Sequence, residues 1–316
     1  MTLGLGVAGA GWLGESLIQD ALRADGLSVV AVQDVVAGRA RAVAERYRIA
    51  WSGEDFEDLL HVPGVDAIVI CTPNALHPPQ AQAALAAGRH VLVQKPLALT
   101  SDAAQATLAA AERAGRVLFV DYTYRFLETM AVLRQRVSAG SRIRGIRAVF
   151  HNIYGPGAEK RWFFEPNLSG GGALTDLGVH LLDLSLWLLA PDQVRLESIS
   201  MSSDGPVERA ADLGLEADGV PVHIAVSWNA PLPTTEISLE VHLQTAMLRW
   251  ENVDGSFFHF RTAVDGEVVA DRETTLREDT LREFRHAVKR GTSPVVDTRV
   301  YALLDQAYGR VPMPGR

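Results

Sequence analysis

No stretch of this chain constrains its fold more than Leu3 to Gly14. An apolar run, Leu3 to Ala8, stops at Gly9-Ala10-Gly11-Trp12-Leu13-Gly14 and passes into a helical pattern from Trp12 to Ala24. A strand that turns through glycines into a helix opens a parallel β-α-β unit, and this spacing suits a backbone that must approach a pyrophosphate. Gly9 permits the turn, Gly11 leaves room for phosphates, Gly14 lets helix and strand pack closely, and the helix N-terminus attracts negative charge. Asp34 ends the second apolar run. A carboxylate there accepts hydrogen bonds from an adenosine ribose and repels a 2′-phosphate. NAD is therefore favoured over NADP, although Arg39 and Arg41 stand nearby. Gly9, Gly11, Trp12, Leu13, Gly14 and Asp34 are candidate cofactor contacts.

The same rhythm continues to about residue 121. Leu27 to Val32, Asp66 to Cys71, His90 to Val93 and Val117 to Val120 read as short strands, and Gly38 to Tyr47, Pro79 to Ala87 and Ser101 to Ala114 as helices. Alternation of this kind predicts an α/β domain over residues 1–121, a doubly wound parallel sheet of the Rossmann type. The pattern then changes. A helix (Leu127 to Ser138), a strand (Arg144 to Tyr154), a glycine-rich turn and a helix (Thr175 to Leu189) precede six alternating segments: Val194 to Ser203, Ala210 to Glu216, Val222 to Asn229, Glu236 to Leu243, Ala246 to Glu251 and Ser256 to Thr262. Helices Leu276 to Lys289 and Thr298 to Tyr308 follow. Residues 122–316 thus predict an α+β domain with an open, mainly antiparallel sheet.

Composition removes whole classes of partner. The 316 residues carry a net charge of -8 and no basic tract, a poor match for nucleic acid or an anionic membrane. Cys71 is the single cysteine, so an internal disulfide is impossible and a reducing cytoplasm is the expected compartment. The amino terminus lacks the early positive charge of a signal peptide, and the most apolar stretch, Leu181 to Ala190, is too short to span a bilayer. Only three of the 30 basic residues are lysines: Lys95, Lys160 and Lys289. Arginine does not give up its proton in a protein and lysine can, so a lysine kept inside an apolar segment invites a chemical reading.

Three further motifs lie on this scaffold. Cys71-Thr72-Pro73-Asn74-Ala75-Leu76-His77 follows a strand, where open α/β sheets bind ligands, and makes Thr72, Asn74 and His77 candidate cofactor contacts. Gln94-Lys95-Pro96 ends another strand on the same edge. Ser169-Gly170-Gly171-Gly172-Ala173-Leu174-Thr175-Asp176 leads to His180 and Asp183, which share a helix face with Asp176. An imidazole beside carboxylates is a proton-transfer group. A metal on Asp/His/Asp is disfavoured, because no other His or Cys cluster completes a coordination shell.

Together these four motifs, collinear from residue 3 to about 190, resemble the Gfo/Idh/MocA oxidoreductases, the glucose-fructose oxidoreductase and inositol dehydrogenase family. The resemblance implies a nicotinamide-dependent dehydrogenase or reductase acting on a secondary alcohol or ketone of a sugar, cyclitol or polyol. It implies that Lys95 is the catalytic lysine, that Asp176 and His180 form the acid/base pair, and that Gln94 and Lys95 also meet the cofactor. Glutamate usually stands where this chain has Gln94. Tyr124, Arg125 and Trp162 are further candidates for the substrate pocket, beside Asp176 and His180. Homodimers or homotetramers through the C-terminal sheet are implied, with Ile237, Leu239 and Val241 as candidate interface residues. The same motifs also fit a glycoside-cleaving enzyme that oxidises its substrate transiently on NAD, or a non-catalytic NAD or sugar sensor.

Overall fold

A computed structural model describes residues 2–36, 38–139, 142–153, 155–202, 205–275 and 277–311, with the side chains of 158–160 outside the description. In chain order the elements are β1 (Leu3–Ala8), α1 (Trp12–Arg23), β2 (Leu27–Gln33), α2 (Arg39–Tyr47), β3 (Trp51–Gly53), α3 (Phe56–Leu60), β4 (Ala67–Ile70), α4 (His77–Ala86), β5 (His90–Gln94), α5 (Ser101–Ala114), β6 (Leu118–Asp121), α6 (Glu128–Ser138) and β7 (Ile143–His151). They continue with α7 (Pro166–Ser169), α8 (Val179–Leu189), β8 (Val194–Ser202), β9 (Ala210–Ala217), β10 (Val220–Ser227), β11 (Glu236–Leu243), β12 (Met247–Asn252), β13 (His259–Val264), β14 (Glu267–Glu273), α9 (Arg277–Arg290) and α10 (Arg299–Arg310). Tyr154, Ser203, Leu276 and the Lys160 side chain, all named in the sequence reading, lie outside the described residues.

Two compact units emerge. The first comprises residues 1–98, 102–123 and 277–296, and the second residues 99–101, 124–276 and 297–316. A single border at 121/122 therefore misses the return of α9 to the first unit. There α9 packs on α1 and β6, with Phe284 edge-on to Phe119 at 5.7 Å. Apolar residues at Leu281, Phe284 and Ala287 explain the choice: all three are buried, while Arg282, Glu283 and Lys289 stay more accessible.

The first unit holds a six-stranded parallel sheet in the order β3-β2-β1-β4-β5-β6, the Rossmann order. Strands β1, β4 and β6 are buried at every position, as expected for strands covered on both faces.

The second unit is built on an eight-stranded sheet, β14-β13-β12-β11-β7-β10-β9-β8, antiparallel except where β7 runs parallel to β10. Helix α8 lies on β7 and β10, α6 on β12 to β14, and α10 on β8. Ile237, Leu239 and Val241 are fully buried within this unit, beside Ile146, Ala148 and Phe150. The expectation that they cover an interface is corrected: alternation sends them inward, and the opposite face of β11 and its neighbours is polar. On that face Arg249 bridges Glu240 at 2.9 Å and Glu251 at 2.5 Å, and Arg261 bridges Glu251 at 2.6 Å. The helical run Pro166–Leu189 is long and apolar enough to cross a bilayer, longer than the Leu181 to Ala190 stretch suggested. Its most apolar window is 83% buried inside the unit, which makes it a core helix.

Candidate functional site

Parallel strands in the order β2-β1-β4-β5 bring their carboxyl ends side by side on one edge of the first unit. Gly9 turns there at φ 90°, and a Cβ on it would lie 2.8 Å from the Cys71 carbonyl oxygen, so the Cys71–Thr72 peptide rests on the glycine turn. A Cβ on Gly14 would sit 1.9 Å from the Gly9 carbonyl oxygen, which leaves glycine as the only residue that fits this close helix-to-turn packing. Around Gly11 the opposite holds: nothing lies within 4 Å of where its Cβ would be. The backbone is bare at the place a pyrophosphate needs, in front of the N-terminus of α1. Trp12 (64% exposed), Val35 (76%), Val36 (45%) and Leu76 (36%) follow β1, β2 and β4 on this same edge. Large apolar side chains gathered in water along one sheet edge mark a surface that a ligand covers. Leu13, by contrast, is half-buried.

Asp34 is held firmly at the end of β2. Its Oδ2 accepts Ala10 N–H at 2.8 Å, its Oδ1 accepts Val36 N–H at 2.8 Å, and the half-exposed Arg39 guanidinium lies 3.2 Å from Oδ2. The carboxylate thus ties the glycine turn to the loop after β2, where a ribose diol belongs. These features fit a dinucleotide.

On the next strands, Thr72 Oγ1 donates to Gln80 Oε1 at 2.6 Å, and Asn74 is buried in a short 3₁₀ turn, Asn74–Leu76. His77 departs from its expected role as a cofactor contact. Its ring is buried, with Nδ1 2.7 Å from the Pro96 carbonyl oxygen and Nε2 2.8 Å from that of Thr72. Both nitrogens face main-chain carbonyls of two loops, of which the neutral ring can donate to one, and burial pushes its pKa below the ordinary histidine value against the pull of those carbonyls. His77 is a strut that fixes the peptide after Lys95.

Gln94 and Lys95 end β5. Gln94, buried, donates from Nε2 to Asp121 Oδ2 at 2.7 Å across the β5–β6 pair, so it serves Asp121 rather than lying open to a cofactor. Thr280 Oγ1 satisfies Asp121 Oδ1 at 2.9 Å. Burial pushes the Asp121 carboxyl up, opposed by these two bonds and by the charges of Arg277 and Lys95. Amide against carboxylate lets the pair meet without repulsion, which two carboxylates at this register would not allow. Lys95, half-buried, sits at the strand end beside this pair.

In the second unit, the expected α-helix from Thr175 begins as a π-helical turn, Leu174–Gly178, before α8. Wide turns of this kind re-aim side chains. Asp176, half-buried, accepts Trp228 Nε1–H on Oδ2 at 3.0 Å. Trp228 is itself wedged among Phe163 and Phe164, at 6.1 and 5.8 Å, and the Trp162 ring lies tilted against Phe163 at 4.1 Å. His180 is 8% exposed, with the Tyr124 ring 4.9 Å away. Tyr124 belongs to a buried aromatic group with Phe150, Trp250 and Phe260.

Two residues change role. Asp183, expected beside His180, is buried and grips Arg125, with Nε donating to Oδ2 at 2.5 Å and Nη2 to Oδ1. Burial pushes the Asp183 carboxyl up to about 7 against the pull of Arg125. Arg125, expected in the substrate pocket, is accordingly an anchor of α8. Among the described residues no cluster of His, Cys, Asp and Glu is arranged to hold a metal.

Sequence reasoning missed the anchors. Glu208, fully buried just before β9, accepts Gly172 N–H at 2.9 Å, Leu174 N–H at 2.8 Å and Tyr308 Oη–H at 2.9 Å, and burial pushes its carboxyl up. It fixes the glycine-rich turn that presents Asp176. Nothing local marks Glu208. Trp228 offers one hint, a large aromatic closing the alternating strand β10.

Comparison with known proteins places the chain in a lineage. Residues 3–122 match the model of the oxidoreductase family with an NAD-binding Rossmann fold, and residues 130–249 match the GFO/IDH/MocA C-terminal domain. The chain is 35% identical over 199 residues to a 1,5-anhydro-D-fructose reductase of Ensifer adhaerens, covering 63% of this chain but 60% of that enzyme. It is 33% identical over 243 residues to an inositol 2-dehydrogenase 1 of Saccharopolyspora erythraea, covering 73% and 68%. A solved levoglucosan dehydrogenase in complex with NADH shares the fold, with TM-score 0.86 over 98% of this chain and 96% of that one at 18% identity. With both domain models matched in order and an inositol dehydrogenase aligned over two thirds of each chain, the protein belongs to the Gfo/Idh/MocA oxidoreductase family.

Proposed function

We propose that this protein is a nicotinamide-dependent oxidoreductase that interconverts a secondary alcohol and a ketone on a sugar, cyclitol or related polyol. The observation that carries the reading is the bare glycine turn at Gly11, ringed by exposed Trp12, Val35 and Val36 and flanked by the fixed Asp34 carboxylate, in a chain that also keeps Lys95, Asp176 and His180. NAD, when bound, supplies the hydride acceptor and, reduced, the donor. Asp34 selects NAD over NADP by receiving the ribose hydroxyls. His180 takes or returns the hydroxyl proton of the substrate, and the role of Lys95 is to donate a hydrogen bond that stabilises developing alkoxide. Asp176, its Oδ2 held by Trp228, orients His180 or receives a neighbouring substrate hydroxyl. Trp162 belongs to the aromatic wall that supports Trp228, with Tyr124 packed on His180.

The reading extends to a reducing cytoplasm, in keeping with the lone Cys71, whose thiol burial pushes up and away from reactivity. It also extends to two or four copies meeting through the polar outer face of the second unit's sheet, where the Arg249, Glu240, Glu251 and Arg261 network offers both signs of charge. The test is NAD reduction against a panel of sugars and cyclitols with the wild type, Lys95→Arg and His180→Asn, alongside light scattering for mass. Loss of turnover in both variants is expected, and near wild-type turnover in both would overturn the assignment. Release of a chromogenic aglycone without net NADH would point instead to cleavage through transient oxidation. A monomeric mass would remove the assembly.

A further inference from the structure

A cation from far along the chain reaches the glycine turn, and no motif announces it. The guanidinium carbon of Arg277, the first residue of α9, lies 5.3 Å from the centroid of the Trp12 ring, the residue immediately after Gly11. Trp12 remains 64% exposed. An indole left in water beside an arginine face, at a turn whose glycine has open space in front of it, is a surface waiting for cover. Arg277 Nε is buried and has no hydrogen-bond partner among the described residues. A buried N–H without an acceptor carries an energetic cost. An incoming anionic oxygen removes that cost.

Arg277 stands near a carboxylate that is already engaged. Its charge acts on Asp121, but both Asp121 oxygens are engaged, by Gln94 and by Thr280. Its charge also acts on Cys71, the residue after β4. The guanidinium therefore stands among the loops that follow β1, β4 and β6, on the ligand edge of the sheet and apart from the β2 loop where Asp34 and Arg39 meet.

We propose that Arg277 is a cofactor-binding residue whose guanidinium pairs with the pyrophosphate oxygens of a dinucleotide seated on the Gly9 to Gly14 turn, with Trp12 stacked beneath it. The proposal rests on the cofactor reading above. An arginine fork matches phosphate geometry with two donors at once, which a lysine at this position would not reproduce.

Dissociation constants for NADH, ADP-ribose and adenosine, measured by calorimetry at two salt concentrations, test it with the wild type, Arg277→Met and Arg277→Lys. Arg277→Met is expected to weaken NADH and ADP-ribose roughly ten-fold, leave adenosine unchanged and flatten the salt dependence, with a smaller loss in Arg277→Lys. NADH and ADP-ribose affinities within about two-fold of wild type, or an equal loss for adenosine, would overturn it. A lower melting point of ligand-free Arg277→Met would show that Arg277 serves the fold, and would also overturn it. Wild-type protein that binds none of the three ligands fails the cofactor reading itself, so the two failures separate.

Discussion

The two units hold their candidate functional side chains by different means. In the first, backbone does the holding: Gly9, Gly14 and the Cys71–Thr72 peptide pack against one another, and the carboxyl ends of parallel strands deliver Asp34 and Lys95 to one edge. In the second, buried charged and aromatic side chains do it. Glu208 fixes the glycine-rich turn, Trp228 fixes Asp176, and Arg125 with Asp183 pins α8. A backbone-built site tolerates side-chain replacement nearby. A site hung on buried polar anchors depends on single residues two or three elements away in sequence.

The sharpest way to break this comparison is to cut one anchor in each unit. Arg125→Met leaves Asp183 buried without its partner, and a loss of about 3–5 kcal/mol is expected, a fall in melting temperature on the order of 10 °C. Arg39→Met, at the half-exposed pair with Asp34, should cost less than about 1 kcal/mol. Equal losses in calorimetric melting would erase the distinction.

A smaller effect separates anchoring from packing within the second unit. Trp228→Phe keeps the ring among Phe163 and Phe164 but removes the N–H from Asp176. Turnover is expected to fall roughly ten-fold, with KM changed far less and melting within a few degrees. A collapse in stability with unchanged turnover per folded molecule would make Trp228 a packing residue only.

The smallest effect tests the strut in the first unit. The folded-state pKa of His77 lies below its unfolded value, so the neutral ring contributes stability above about pH 6.5, and that contribution is lost as pH falls through the folded value. Wild-type melting should drop more steeply than that of His77→Gln on acidification below about pH 6.5. Parallel pH profiles for the two proteins would show that His77 carries no charge penalty in the fold.

What could be read from sequence follows the same division. Strand β1, helix α5 and strand β11 occur at the residues their patterns mark, because a bounded apolar run or a capped helical period is local information. Strand β3 spans three half-buried residues and β14 is an exposed edge, so neither carries alternation enough to be seen. The π-helical turn at Leu174–Gly178 replaced the start of a regular helix, in a segment whose N–H groups bond to Glu208, more than 30 residues away. Gly9, Gly11, Gly14 and Asp34 were legible for the reason β1 was: their chemistry lies within one strand-turn-helix and the end of the next strand. His77, Gln94, Arg125 and Asp183 were legible as chemical groups but not as partners. Each is absorbed by a residue more distant in sequence that folding brings near: His77 by Pro96, Gln94 by Asp121, and Arg125 and Asp183 by each other.

The late return of α9 has a consequence for how the molecule is made. Strand β6 and helix α1 are made first, and the helix that covers them follows an intervening segment, 124–276, of more than 150 residues. At translation rates of roughly 5–20 residues per second, Phe119 and its neighbours wait on the order of ten seconds for Phe284. The first unit is thus completed only after segment 124–276 has been made, and a fragment ending near residue 121 is an unfinished fold with its apolar flank open.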